Sequence, residues 1–116
     1  SKNDYMFKLI RDNVPELMKN SGTVCNYAVA ENQELYLALL RNKLIEEVNE
    51  FLETNLVEEL VDIVTVVKTL LAANDIPEDQ FEELYKNKLE TNGGFDKKLI
   101  GFFPDKVVSP KKDKAE

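Results

Sequence analysis

Residues Lys43–Val67, KLIEEVNEFLETNLVEELVDIVTVV, decide the fold. Helical apolar spacing runs up to Glu53-Thr54-Asn55-Leu56 and resumes beyond it, so the stretch predicts two helices folded back on each other. Each carries an acidic pair three residues apart, Glu47 with Glu50 and Glu59 with Asp62, and residues at that spacing share a helix face. The pairs are symmetric about the turn: Glu50 lies opposite Glu59, and Glu47 opposite Asp62. Four carboxylates would then meet between antiparallel helices whose axes are about 8–10 Å apart. Uncompensated, that arrangement repels itself; a cation in the middle resolves it.

Placing the residues at 100° intervals separates these acids from their neighbours. The first helix has an apolar stripe of Tyr36, Leu37, Leu40, Leu44, Val48 and Phe51. Glu47 falls inside it and Glu50 at its edge, while Glu46 and Glu53 project to the wet side. In the second helix the stripe comprises Leu56, Leu60, Ile63, Val64, Val66, Val67, Leu70 and Leu71. Glu59 falls inside it, Asp62 on its border, and Glu58 faces away. A buried carboxylate is costly unless it is paired, protonated or bound to a metal. The second stripe spans roughly 220°, against the ~100° of a simple surface helix, which points to a subunit interface or a central position in a small bundle.

Outward from this hairpin the elements are shorter. Tyr5–Gly22 begins with the extended-looking MFKLIR, then a short helix N-capped by Asp12, with Pro15 in its first turns and Gly22 at its close. Val24–Ala30 alternates weakly and reads as a short strand or an extended arm. The long helices are expected over about Glu31–Glu53 and Leu56–Asn74. A third, PEDQFEELYKNKLETN, starts with Pro77 at its first position, has its apolar face on Phe81, Leu84, Tyr85 and Leu89, and ends at Asn92-Gly93-Gly94. FDKKLIGFF reads as a second short strand or arm. The expected organisation is all-α: an antiparallel helical bundle with extended arms over residues 1–103, and a charged tail over 104–116.

Composition narrows the chemistry. With 43% hydrophobic and 32% charged residues the chain reads as a soluble globular protein rather than a disordered one. No apolar run approaches a bilayer span, no secretory signal precedes the first helix, and the single Cys25 has no internal disulfide partner; a reducing cytoplasm is the expected setting. The absence of histidine excludes His-based triads and His-ligated zinc. A net charge of −7 disfavours a nucleic-acid polymer as partner and suits hard divalent cations, which take oxygen ligands.

Four segments carry a resemblance. Glu46-Glu47-Val48-Asn49-Glu50 matches the EExxE signature of the MazG-like, all-α nucleoside triphosphate pyrophosphohydrolases, and Glu59-Leu60-Val61-Asp62 matches their ExxD. The opening KLIRDNVPELM (Lys8–Met18) and the closing NGGFDKKLIGF (Asn92–Phe102) resemble the phosphoribosyl-ATP pyrophosphohydrolase-like branch. The likeness covers roughly residues 5–103. It implies a MazG-like bundle assembled as a homodimer or homotetramer, with Mg²⁺, or Mn²⁺ in its place, held by Glu47, Glu50, Glu59 and Asp62. The implied reaction cleaves the α–β phosphoanhydride of a nucleoside triphosphate or a phosphoribosyl-ATP-like substrate, giving a monophosphate and pyrophosphate in a house-cleaning or a biosynthetic role. Glu46 is then the candidate general base or a supporting residue behind the ligands. Arg11, Lys43, Lys86, Lys88, Lys97 and Lys98 are candidate phosphate contacts. The family often has a basic residue before Gly-Gly; this chain has Asn92, so Gly93-Gly94 is equally readable as a helix stop. The competing readings are a non-catalytic helical module that keeps the fold and binds a nucleotide or a protein, and an acidic helical dimer with a structural role alone.

Overall fold

The computed structural model describes residues 7–105, which fold into four helices: α1 (Val14–Asn20), α2 (Gln33–Thr54), α3 (Val57–Ala73) and α4 (Glu78–Asn92). No strand occurs among the described residues. The segments 24–30 and 95–103 are therefore arms without a sheet, as expected where neither has a partner strand to satisfy its backbone. The chain divides into two compact units, Ser1–Glu82 and Glu83–Glu116. No described helix is long and apolar enough to cross a membrane. All but the first two residues of the expected tail lie outside the described residues.

The α2–α3 hairpin is the centre of the first unit. Asn32 caps α2, its side chain accepting a hydrogen bond from the Leu35 N–H at 2.8 Å. The helix then runs for 22 residues, about 33 Å at 1.5 Å per residue. It stops because Asn55 turns left-handed (φ 57°), a conformation asparagine tolerates better than most residues, while its N–H bonds to the Phe51 carbonyl at 2.7 Å. Thr54 locks the reversal by donating to the Glu50 carbonyl at 3.0 Å and accepting from the Leu56 N–H at 3.2 Å. At the far end Gln33 Nε2 donates to the Ala73 carbonyl at 2.7 Å, tying the start of α2 to the end of α3 and fixing the pair as antiparallel.

Short motifs close the other helices. α1 ends in a Schellman motif: Gly22 is left-handed (φ 89°), its N–H bonds to the Lys19 carbonyl and that of Thr23 to the Met18 carbonyl. The end of α3 repeats the pattern, with Asp75 left-handed (φ 59°) and the Ile76 N–H on the Leu71 carbonyl. Two expected caps move by one residue. Asn13, not Asp12, occupies the N-cap of α1, and its side chain makes no capping bond, because Pro15 already removes one donor from the first turn. Pro77 stands just before α4 rather than at its first position; its carbonyl accepts the first helical bond, from Phe81 at 3.0 Å.

Packing between α2 and α3 is one-sided. Leu40 and Val66 are the buried apolar residues, and Tyr36, Leu37, Leu44 and Phe51 face Ile63, Val67, Leu70 and Leu71 in a half-buried layer around them. The third buried residue of the described chain is Glu47. Along α3, Leu60, Val61 and Val64 stay exposed, the last two at 58% and 51%. Of the eight residues of the apolar arc read from the sequence, Leu56, Leu60 and Val64 are thus uncovered among the described residues, with Val61 beside them. In the second unit, Leu84 and Leu89 on α4 and Phe95, Leu99, Ile100, Phe102 and Phe103 beyond it are also exposed.

Candidate metal centre

Because Asn55 reverses the chain so tightly, the last two turns of α2 lie against the first two of α3, and their inward acids meet. Single carboxylate oxygens of Glu47, Glu50 and Glu59 all lie within 4.8 Å of one another. Glu47 is 6% exposed, as its position within the apolar stripe requires. Its Oε1, and Oε1 of Glu59, are buried without a hydrogen-bond partner. For the buried Glu47 such an orphaned acceptor costs about 1–3 kcal/mol. Among the described residues, no basic side chain comes within ion-pair distance of Glu50 or Glu59.

The counter-charges sit around this trio. Lys43, 17% exposed, places its Nζ 3.5 Å from Glu47 and 3.4 Å from Glu46. Lys8 reaches Glu46 from the N-terminal segment at 3.0 Å. Arg11, from the same segment, donates to Asp62 Oδ1 at 2.6 Å and to Thr65 Oγ1 at 3.2 Å. The titrations follow this geometry. Loss of water and the neighbouring Glu50 raise Glu47 above the ordinary carboxylate range, against the pull of Lys43. Glu59 is raised for the same reasons, desolvation first and then Glu50, with Asp62 and Glu47 adding to it. Glu46 moves the other way: burial pushes it up, but Lys8 and Lys43 together outweigh burial and hold it low.

No protein-family model, curated protein or solved structure matches the chain. What the site can do therefore rests on its own chemistry. An all-oxygen, all-carboxylate donor set selects a hard divalent cation. Oxygens sharing one ion at about 2.1 Å lie at most about 4.2 Å apart, a separation that a trio already within 4.8 Å reaches by small side-chain rotations. The two partnerless buried oxygens are the acceptors such an ion would satisfy.

Of the residues singled out from the sequence, the fold gathers Glu47, Glu50 and Glu59. It does not gather Asp62, which shares the cluster's face of α3 but is turned to Arg11. Glu46 departs from its expected wet position: the N-terminal segment covers that side of α2, leaving it partly buried between two lysines. Lys43, expected as a phosphate contact, pairs with Glu47 and Glu46. Lys86, Lys88 and Lys97 belong to the second unit, exposed on α4 and in the turn after it, and Lys98 is a left-handed residue of that turn (φ 59°). Two participants escaped the sequence reading, Lys8 and Thr65. A signal for both existed. Lys8 and Arg11 stand three residues apart in an extended segment, a reach of about 10 Å that matches the spacing of two packed helices. Thr65 stands three residues after Asp62, on the same face.

Proposed function

We propose that this chain is a Mg²⁺-dependent nucleotide pyrophosphohydrolase of the MazG-like kind, cleaving the α–β phosphoanhydride of a nucleoside triphosphate or a phosphoribosyl-ATP-like substrate. The observation that carries the proposal is the convergence of Glu47, Glu50 and Glu59 with two buried oxygens left unpartnered. An ordinary solvated acidic face has no reason to bury acceptors without partners. The four resembling segments, in family order, supply the reaction class.

In this reading Glu47, Glu50 and Glu59, joined by Asp62, hold the cation, Mn²⁺ serving as well as Mg²⁺. A bound divalent ion supplies Lewis acidity toward the phosphate oxygens and a more acidic attacking water. Lys43 offsets part of the cost of burying Glu47 and braces it from one turn away. Glu46 acts as the support for Lys43 and Lys8 rather than as the proton acceptor, since a carboxylate held low by two cations is a weak base. Arg11, beside the cluster, is the proposed phosphate contact of this unit. The exposed Leu60, Val61 and Val64 of α3 offer the surface on which a second copy would pack in a homodimer or homotetramer.

The test is pyrophosphate release from a panel of standard and modified triphosphates and phosphoribosyl-ATP, with Mg²⁺ or Mn²⁺ and then with EDTA. Release that stops with EDTA, and is lost in folded Glu50→Gln and Asp62→Asn, is expected. Silence across the panel from folded, metal-loaded protein would transfer the fold to a non-catalytic binding module.

A further inference from the structure

One carboxylate of the predicted four is missing from the cluster, and the structure shows what holds it. Asp62 follows Glu59 by three residues, so nothing in the helix keeps it from the other acids. Its Oδ1 instead accepts from Arg11 at 2.6 Å. The guanidinium is anchored a second time on Thr65 Oγ1, at 3.2 Å. That hydroxyl donates its own proton to the Val61 carbonyl at 2.9 Å, which leaves a lone pair for Arg11. Three residues earlier Lys8 is fixed to Glu46 on the other helix. The segment Lys8–Arg11, which has no regular structure, thus lies as a strap from α2 to α3 across the acidic end of the hairpin.

We propose that Arg11 is a displaceable internal counter-ion: it neutralises Asp62 and holds it aside in the metal-free protein, and its release completes the four-carboxylate site. This rests on the metal-centre reading above and adds an order of events to it. The contact is weak enough to yield. Both partners keep solvent contact, with side chains 54% and 31% exposed, and such pairs are worth at most about 1 kcal/mol. A divalent ion offers Asp62 a stronger partner, and an anionic phosphate offers Arg11 one. The strap therefore sets the cation affinity of the resting protein rather than blocking the site. A purely structural bridge predicts otherwise: its removal would loosen the hairpin and leave cation affinity equal or lower.

The experiment is calorimetric titration of the full chain with Mn²⁺ alone, for wild type, Arg11→Gln, Asp62→Asn and the double variant, each checked for folding by its melting curve. Arg11→Gln is expected to bind Mn²⁺ roughly fivefold more tightly than wild type, the equivalent of one such ion pair. Asp62→Asn is expected to bind more weakly, and in that background Arg11→Gln changes nothing further. A gain that persists with Asp62→Asn would mean that removing any nearby positive charge suffices, and overturns the proposal. Equal or weaker binding by folded Arg11→Gln overturns it too, while leaving the metal centre in place. Absence of binding in every chain removes the metal centre and the strap together. Should Arg11→Gln fail to fold, Thr65→Val deletes one of the two anchors, and a smaller shift in the same direction is required of it. In wild type, Mn²⁺ should also speed amide exchange across Lys8–Asp12; unchanged exchange counts against release.

Discussion

Glu47→Gln in the metal-free protein tests whether the carboxylates are held under repulsion. Glu47 is 6% exposed, has one oxygen without a partner, and meets Glu50 of its own helix and Glu59 across the hairpin. The amide keeps the shape and removes the charge. It also brings an N–H₂ donor to a neighbourhood that contains the orphaned Glu59 oxygen. Against this stands the loss of the Lys43 ion pair at 3.5 Å, which is limited because Lys43 keeps Glu46 at 3.4 Å. Relieving an unsatisfied buried acceptor is worth about 1–3 kcal/mol, and the weakened pair costs about 1 kcal/mol. A net gain of about 1 kcal/mol follows. For 116 residues the unfolding entropy is about 0.24 kcal/mol/K, so Tm in EDTA should rise by about 4 °C.

Mg²⁺ should reverse the order. At tenfold its dissociation constant a ligand stabilises the folded state by about 1.4 kcal/mol, or about 6 °C on the same scale. Wild type gains this and Glu47→Gln, having lost a ligand, gains little. The assay is therefore a pair of melting curves for each chain, with EDTA and with saturating Mg²⁺, read for a crossing. A Glu47→Gln protein that melts below wild type in EDTA would show that the cluster is not frustrated. Equal gains in Mg²⁺ would place the cation elsewhere.

Three further outcomes are expected. Because Glu47 and Glu59 titrate above the ordinary carboxylate range, the folded protein takes up protons before the unfolded chain does. Metal-free stability should thus rise as pH falls from neutral toward that range, and fall again only below it, where Glu46 gives up its lysines; melting curves in EDTA against pH would show the maximum, and saturating Mg²⁺ should erase the rise. Lys43→Met removes the one cation beside buried Glu47 and should cost about 2 kcal/mol in EDTA, a loss much smaller when Glu47→Gln is already present, as a double-mutant cycle of melts would measure. Val64→Asp on the uncovered face of α3 should leave the helical content unchanged and shift sedimentation to the monomer; a wild-type chain already monomeric at high concentration would contradict the assembly.

The hairpin and its inner trio were legible because each depends on local rules. Apolar spacing fixed which faces of α2 and α3 turn inward, Asn55 marked the reversal, and Glu47 and Glu59 were isolated by lying within apolar stripes. The contacts of Asp62 and Glu46 were not legible, since their partners, Arg11 and Lys8, stand 51 and 38 residues away in a segment without periodicity. A wheel drawn for one helix assigns its far side to water; here the strap covers part of that side of α2. Of the two readings open for Val24–Ala30, strand or extended arm, the structure takes the arm for a related reason. Alternation in Val24–Ala30 is a statement about two faces, and it makes a strand only where a neighbour accepts the backbone bonds.

The distribution of counter-charge separates a solvated acidic surface from a cation site built of the same residues. On a surface selected only for solubility, burial would be matched by pairing: the most enclosed carboxylates would hold the lysines, and the exposed ones would be left to water. The hairpin keeps that order at Glu47, which holds Lys43, and breaks it at Glu59, whose buried Oε1 has no partner. Glu46 has two lysines and Asp62 an arginine, while Glu50 and Glu59 have no basic partner among the described residues and buried Glu47 shares a single one. Placing the cations on the outer acids keeps the mouth of the site near neutral without filling it. The negative charge is left where three carboxylates already converge, which is where a divalent ion gains most from it.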